Sequence, residues 1–169
     1  FRKIGMATNR IKSCMIVGGG ETTYYLAKQL LPMGISIKII EQNKERCNEL
    51  SDLLPQAMII HGDGTERNLL YEEGLVQAHS FVSWTSLDEE NIMLSLFAQS
   101  VSKAKTITKV HRIDYDEIID KLDLGSVLYP KHITSEYILQ YVRAMQNSIG
   151  SNVETLYRLI DGKAEALEF

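Results

Sequence analysis

The chain has 169 residues, of which 44% are hydrophobic and 24% charged, with a formal net charge of −4; this suits one domain of about 130–150 residues plus an appendage. No segment is dominated by Lys or Arg, which argues against a nucleic-acid surface, and no apolar run is long enough to span a membrane. Two cysteines, Cys14 and Cys47, cannot make a disulfide framework and fit a reducing compartment, where both serve as small buried hydrophobes. No signal peptide stands at the start, and a chain opening on Phe1 reads as a piece of something longer.

Residues 1–11 are mixed and basic (Arg2, Lys3, Arg10) and read as a lead-in. Lys12–Val17 reads as a first buried strand. The run Gly18-Gly19-Gly20-Glu21-Thr22-Thr23 follows, and the spacing predicts a helix over Gly20–Met33, with Leu26, Ala27, Leu30 and Leu31 on its apolar face and Gly34 at its end. Ser36–Ile40 is a second strand with Glu41 at its end. Lys44–Leu54 is a second helix, capped by Asn43 and stopped before Pro55. Ala57–His61 makes a third strand running into Gly62-Asp63-Gly64-Thr65, with Thr65 placed to cap a short helix that reaches Glu73 and closes at Gly74. Ser80–Trp84 is a fourth strand, with Trp84 expected at the sheet edge. Ser86 and Glu89 have the spacing of a capping box for a helix over Leu87–Ser102. Thr106–Val110 is a fifth strand, Asp114 with Glu117 starts a further helix to Leu122, and Val127–Tyr129 is a short sixth strand.

Strands alternating with helices at this rhythm give an α/β fold, a doubly wound (Rossmann-like) parallel six-stranded sheet over residues 12–130, in the order 3-2-1-4-5-6. Ligands of such sheets bind at the carboxyl edge, where the order reverses between strands one and four. That edge collects Gly18 to Thr23, Glu41 with Gln42, Asp63, Gly64 and Thr65, Thr85 and Ser86, and Lys109 to His111. After Pro130, residues 131–150 form a long helix with Ile138, Val142, Met145 and Ile149 at helical spacing, flanked by Tyr137 and Tyr141. Such a stripe either packs on its own sheet or joins two subunits. Gly150 ends it. Val153–Ile160 and Lys163–Phe169, around Asp161-Gly162, read as a β-hairpin. A lone hairpin is marginal in water, so residues 151–169 read as the opening of a truncated further subdomain.

The chemistry concentrates at the glycines. A glycine turn between a parallel strand and a helix lets backbone N–H groups approach a pyrophosphate, and the helix N-terminus adds partial positive charge at the same point. Glu41 stands where such units place a carboxylate for the ribose hydroxyls; it repels a 2′-phosphate and favours NAD or an adenosine nucleotide over NADP. Thr23 occupies the place of the third glycine of G-x-G-x-x-G. Asp63 suits a plain turn or a ligand contact, and its place at the end of the third strand favours contact. Asp88, Glu89 and Glu90 read as a solvated helix start favoured by the macrodipole. His111, Asp114 and Asp116 have a spacing that a metal can use, yet capping explains Asp114, and no metal site is assigned. Lys109 faces phosphate or solvent. His61, His79 and His132 are isolated and read as structural or exposed. No nucleophile–base pair is visible, so no catalytic residue is assigned, and the six strands leave little chain for the substrate domain that a dehydrogenase needs.

Val17-Gly18-Gly19-Gly20 before Tyr24-Tyr25-Leu26-Ala27, Ile40-Glu41, His61-Gly62-Asp63-Gly64-Thr65, Thr85-Ser86-Leu87-Asp88-Glu89-Glu90-Asn91, and Tyr129-Pro130 before a long helix form a set. From about Lys12 to Ser148 this set resembles the RCK/KTN domain family, the cytoplasmic regulators of potassium channels and transporters, and within it the regulatory subunits of Trk potassium-uptake systems. The resemblance implies that Gly18, Gly20 and the Glu21 and Thr22 amides hold phosphates and that Glu41 holds the ribose. It also implies Asp63 and Thr65 beside the adenine or its ribose, and Thr85 near the phosphates or the nicotinamide. The hairpin is similar to the start of the family's small C-terminal ligand-binding subdomain. The implied protein is a cytoplasmic homo-oligomer joined through the 131–149 helix, coupling NAD(H), AMP, ADP or ATP binding to the membrane subunit of a potassium transporter. Thr23 departs from the family pattern and leaves open which nucleotide this repeat takes, or whether it takes one. An oxidoreductase nucleotide-binding domain and a ligand-free dimerisation scaffold stay open beside the regulatory reading.

Overall fold

A computed structural model describes residues 10–112, 119, 121–122, 124–147, 155–159 and 164–168. The chain divides into two units, one ending at Leu128 and one beginning at Tyr129.

The first unit is built on six strands, β1 (Ser13–Val17), β2 (Ser36–Glu41), β3 (Met58–His61), β4 (Ser80–Ser83), β5 (Lys105–Lys109) and β6 (Ser126–Leu128). All pair in parallel, in the spatial order β3-β2-β1-β4-β5-β6 that the sequence predicts. β1 lies inside the sheet, and its run Cys14-Met15-Ile16-Val17 is buried throughout, as a strand covered on both faces must be. Its side chains alternate between two cores. Met15 and Val17 join Ile40, Phe81, Leu70 of α3 (Arg67–Glu72) and Leu94 and Ala98 of α4 (Asp88–Val101). Cys14 and Ile16 join Ile37, Ile39, Val82, Ala27 of α1 (Glu21–Leu30) and Leu50 of α2 (Lys44–Leu53). Both cysteines are buried, as expected.

The element ends depart from expectation where local chemistry competes. α1 stops at Leu30 and tightens into a single 3-10 turn, Leu31–Met33, because Pro32 has no N–H with which to extend the ladder. Thr65 does not cap α3. Glu66 holds the cap position, while the Thr65 N–H and hydroxyl both donate to Asp63 Oδ1 (2.9 and 2.7 Å), a local turn that outcompetes the cap. Ser86 and Glu89 form no capping box: Leu87 holds the cap position without a side-chain cap. The Leu87 N–H donates to Thr85 Oγ1 (3.2 Å), and Glu89 accepts from Arg112 Nη2 (2.8 Å). Asn43 caps α2 as expected, accepting from the Arg46 N–H (3.0 Å). The predicted helix start at Asp114 and Glu117, residues 1–9, Gly150 and the Asp161-Gly162 turn lie outside the described residues.

The second unit holds α5 (Pro130–Asn147) and the antiparallel strands β7 (Thr155–Leu159) and β8 (Ala164–Glu168), with Thr155 opposite Glu168 and Leu159 opposite Ala164. Along α5, Ile133, Tyr137, Ile138, Tyr141 and Val142 are exposed. None of the described helices is long and apolar enough to cross a membrane.

The loop after β3 lies directly against the end of β1, where a Cβ at Gly64 would run into Val17 Cγ1. Gly64→Ala is therefore expected to destabilise the fold by about 1–3 kcal/mol through overpacking. Urea unfolding checks this, and an unchanged midpoint would mean that Val17 moves aside freely.

Candidate functional site

The chain leaves β1 at Val17 and turns into α1 through three glycines with three different duties. Gly18 has φ +101°, and a Cβ there would sit 2.5 Å from the Trp84 carbonyl oxygen, so only glycine lets this turn approach the end of β4. Gly19 is held on both sides. Its N–H donates to Glu41 Oε2 (2.6 Å), and its carbonyl accepts from Arg46 Nε (2.7 Å). The other Glu41 oxygen accepts from the Asn43 N–H (2.7 Å). Gly20 is different. Its backbone, φ −66° and ψ −178°, suits any residue, and beyond its chain neighbours a Cβ would meet nothing within 4 Å. The fold therefore makes no demand for glycine there, and the space above it opens into a cleft. α1 has no side-chain cap, which leaves its first amides to face that space.

Thr23, at the third glycine position, is buried, and its Oγ1 donates to the Gly18 carbonyl (2.7 Å). The side chain closes the turn from within and takes no room from the cleft.

The cleft, about 530 Å³, lies across the carboxyl ends of β1 to β5 and falls in the usual range for small-molecule sites. Its walls bring together Gly18, Gly19, Gly20, Glu21, Thr22, Glu41, Gln42, Asp63, Gly64, Thr85, Ser86 and Lys109 from the sequence-predicted set. Thr23 and Thr65 are not among them. Val17, Ile40, Gly62, Trp84, Leu87 and Glu90 line it as well, although the sequence reading assigned none of them to the ligand site. Trp84 is the clearest correction. It does not pack at the sheet edge but follows β4 in the middle of the sheet, half-buried beside the cleft, with the Lys109 Nζ 5.5 Å from its ring centroid. The register explains the place: Val17 and Ser83 are partners, so the residue after Ser83 lies level with Gly18.

Lys109 is buried at the end of β5. Desolvation pushes its ammonium below the usual lysine range, against the opposing charge of Asp88. Asp63 borders the cleft while its carboxyl is held low by hydrogen bonds from the Thr65 N–H and hydroxyl. It forms the turn and faces the cleft at once.

Asp88 is no solvated helix start. It is buried, accepting from the N–H groups of His111 (3.0 Å) and Arg112 (2.9 Å), with His111 Nδ1 at 3.3 Å. Burial raises its pKa, but the Arg112 and His111 donors outweigh it, and the net position is below 3.8. Asn91 is fully buried. Its Oδ1 accepts from the Thr85 N–H (2.8 Å), and its Nδ2 donates to the carbonyls of Thr85 (3.3 Å) and Lys109 (3.1 Å). Asp88 and Asn91 thus fix the ends of β4 and β5 and with them Thr85 and Lys109. Glu89 is exposed as expected, whereas Glu90 borders the cleft and accepts from Thr85 Oγ1 (3.0 Å). Among the described residues no three His, Cys, Asp or Glu side chains gather to hold a metal.

The TrkA-N domain model matches residues 14–130. The chain belongs to the TrkA-N family. The resemblance drawn from the sequence is thereby borne out. Among curated relatives, Trk system potassium uptake protein TrkA homolog 2 of Methanosarcina mazei is 31% identical over 170 residues, covering 100% of this chain and 36% of that protein. Trk system potassium uptake protein TrkA of Haemophilus influenzae is 32% identical over 157 residues, covering 93% of this chain and 33% of that protein. This TrkA-N chain spans about a third of their length. In three dimensions it is similar to the TrkA-N domain of inner membrane protein ybaL from Escherichia coli, with a TM-score of 0.68 at 17% identity, covering 78% of this chain and 97% of that one. It is also similar to the GsuK channel bound to NAD, with a TM-score of 0.67 at 18% identity, covering 92% of this chain and 27% of that one. Both share the fold.

Because the folded-state pKa of Asp88 lies below its ordinary value, its stabilisation is complete above 3.8 and is lost as pH falls through the lower folded value. Asp88→Asn turns an amide NH₂ toward two N–H donors and should cost about 1.5–3 kcal/mol near neutral pH. Urea unfolding at neutral and strongly acidic pH measures this. The two stabilities should converge in acid, and a gap independent of pH would contradict the assignment.

Proposed function

We propose that this domain is a nucleotide-sensing regulatory module of a potassium-uptake system, and that its cleft takes an adenosine-containing nucleotide from the set NAD(H), AMP, ADP and ATP. The observation that carries the reading is Gly20, where neither backbone nor packing needs glycine and the open space borders the first amides of α1. Phosphates bound there meet those amides and the helix N-terminus. Ribose hydroxyls donate to Glu41, whose carboxylate is already oriented by the Gly19 and Asn43 N–H groups and disfavours a 2′-phosphate. Asp63 and Gly64 border the adenosine end, while Thr85, Trp84 and Lys109 border the far end. The chemistry is recognition, and no residue is assigned to catalysis. The potassium-uptake names of the relatives and the NAD in the GsuK channel structure support the reading.

Regulation follows if the nucleotide binds two arrangements unequally, since only differential affinity moves an equilibrium. The exposed stripe on α5, Ile133, Tyr137, Ile138, Tyr141 and Val142, supports a homo-oligomer through that helix, and the relatives' potassium-uptake names support a place on the cytoplasmic face of the membrane beside a transporter subunit. Residues 12–130 then form the sensing domain, 131–150 the connecting helix and 151–169 the start of a further subdomain.

Glu41→Ala should weaken NAD or adenosine-nucleotide binding about tenfold or more by removing the ribose acceptor, with thermal unfolding confirming an intact fold. Calorimetric titration decides this, and an unchanged curve would remove Glu41 from the site. Replacing Ile138 and Val142 together with Glu should yield monomers by light scattering, whereas an oligomer that persists would place the interface elsewhere.

A further inference from the structure

We infer that Glu21 sets which phosphate chain the cleft accepts, admitting the bridged pyrophosphate of a dinucleotide and disfavouring the free tail of ATP; this rests on the nucleotide reading above. Glu21 is the first residue of α1 and borders the cleft beside the amides that would meet phosphate. Four carboxylates, Glu21, Glu41, Asp63 and Glu90, border the cleft, against one cation, Lys109, among its described walls. Glu41, Asp63 and Glu90 each accept hydrogen bonds from a neighbouring loop. Glu21 instead pairs with Arg46, its Oε1 lying 2.9 Å from Nη2.

That pairing acts twice. It fixes the carboxylate, its charge partly offset by Arg46, at the point where the helix dipole would otherwise welcome an anion. It also holds the guanidinium of α2, whose Nε is on the Gly19 carbonyl (2.7 Å) and whose Nη1 is on Glu49 (2.7 Å), leaving Nη2 beside the Glu21 carboxylate with no hydrogen-bond partner among the described residues. The two phosphates of a dinucleotide carry one charge each. The terminal phosphate of ATP, with a second pKa near about 6, adds nearly two more charges at neutral pH. At a separation of about 8 Å, between bulk water and a protein surface, one extra unit charge changes binding of another by roughly threefold to thirtyfold. The Glu21 side chain is largely exposed, which makes the effect sensitive to salt.

The test is calorimetric titration of the full chain with NAD and with ATP, without added magnesium, at low and at high salt. It compares the native chain, Glu21→Gln, and the control Glu45→Gln, an exposed acid in the first turn of α2 outside the cleft. The native chain should bind NAD more tightly than ATP. Glu21→Gln should tighten ATP roughly tenfold while changing NAD less than threefold, with the gain shrinking at high salt, and Glu45→Gln should change neither. If the ratio of ATP to NAD affinity stays the same in Glu21→Gln, or shifts equally in Glu45→Gln, the assignment to Glu21 is overturned. If neither nucleotide binds any variant, the nucleotide reading itself falls and takes this one with it.

Discussion

The contact on which the cleft depends is the hydrogen bond from the Gly19 N–H to the Glu41 carboxylate, 2.6 Å long. It ties the end of β2 to the turn leaving β1, and the Arg46 fork closes the same residue from its carbonyl side. Gly19 cannot move without breaking both. The turn is therefore set before any ligand arrives, and a ligand that uses it loses little affinity to ordering. The carboxylate that would take a ribose is also the group that shapes the phosphate cradle, so the two halves of the site are one mechanical unit.

The opposite wall is held by other means. Asn91 reaches from α4 to the backbones of Thr85 and Lys109, and Asp88 gathers the N–H groups of His111 and Arg112. Beneath them a buried chain of hydroxyls joins β4, α4 and β5, with Ser83 to Ser95 at 2.8 Å and Thr108 to Ser95 at 2.7 Å. Satisfied networks of this kind fix one geometry, because leaving a member unpaired in the interior is expensive. Gly18 brings the two walls together by letting the first turn reach the Trp84 carbonyl. A nucleotide lying across the cleft would touch both walls, each of which is rigid in itself.

The sheet order and the strand positions were legible because they follow from apolar runs separated by helix signals, and β1, buried on both faces, is one uninterrupted run. The edge of the sheet was legible too, since topology alone assembles Gly18, Glu41, Asp63, Thr85 and Lys109 there. What the sequence hid was competition between neighbours. Thr65 and Ser86 carry good cap chemistry, yet Asp63 takes the first and the Thr85 turn displaces the second. Asp88 looked like a surface acid because its donors lie more than twenty residues away, at His111 and Arg112. Thr23 looked like a damaged fingerprint, and only the direction of its hydroxyl, toward the Gly18 carbonyl, shows that the turn tolerates it. Trp84 was misplaced because a lone aromatic carries no directional signal until its register partner is known.

An amide-resolved NMR titration of the chain with NAD tests the shared role of the glycine turn and Glu41 most directly. The amides of Gly19, Gly20, Glu21 and Thr22 should shift along one saturating curve. Those of Ser13 and His79, at the other end of β1 and before β4, should stay in place. Saturation without movement of those four amides, or no binding at all, would contradict a nucleotide site at this turn.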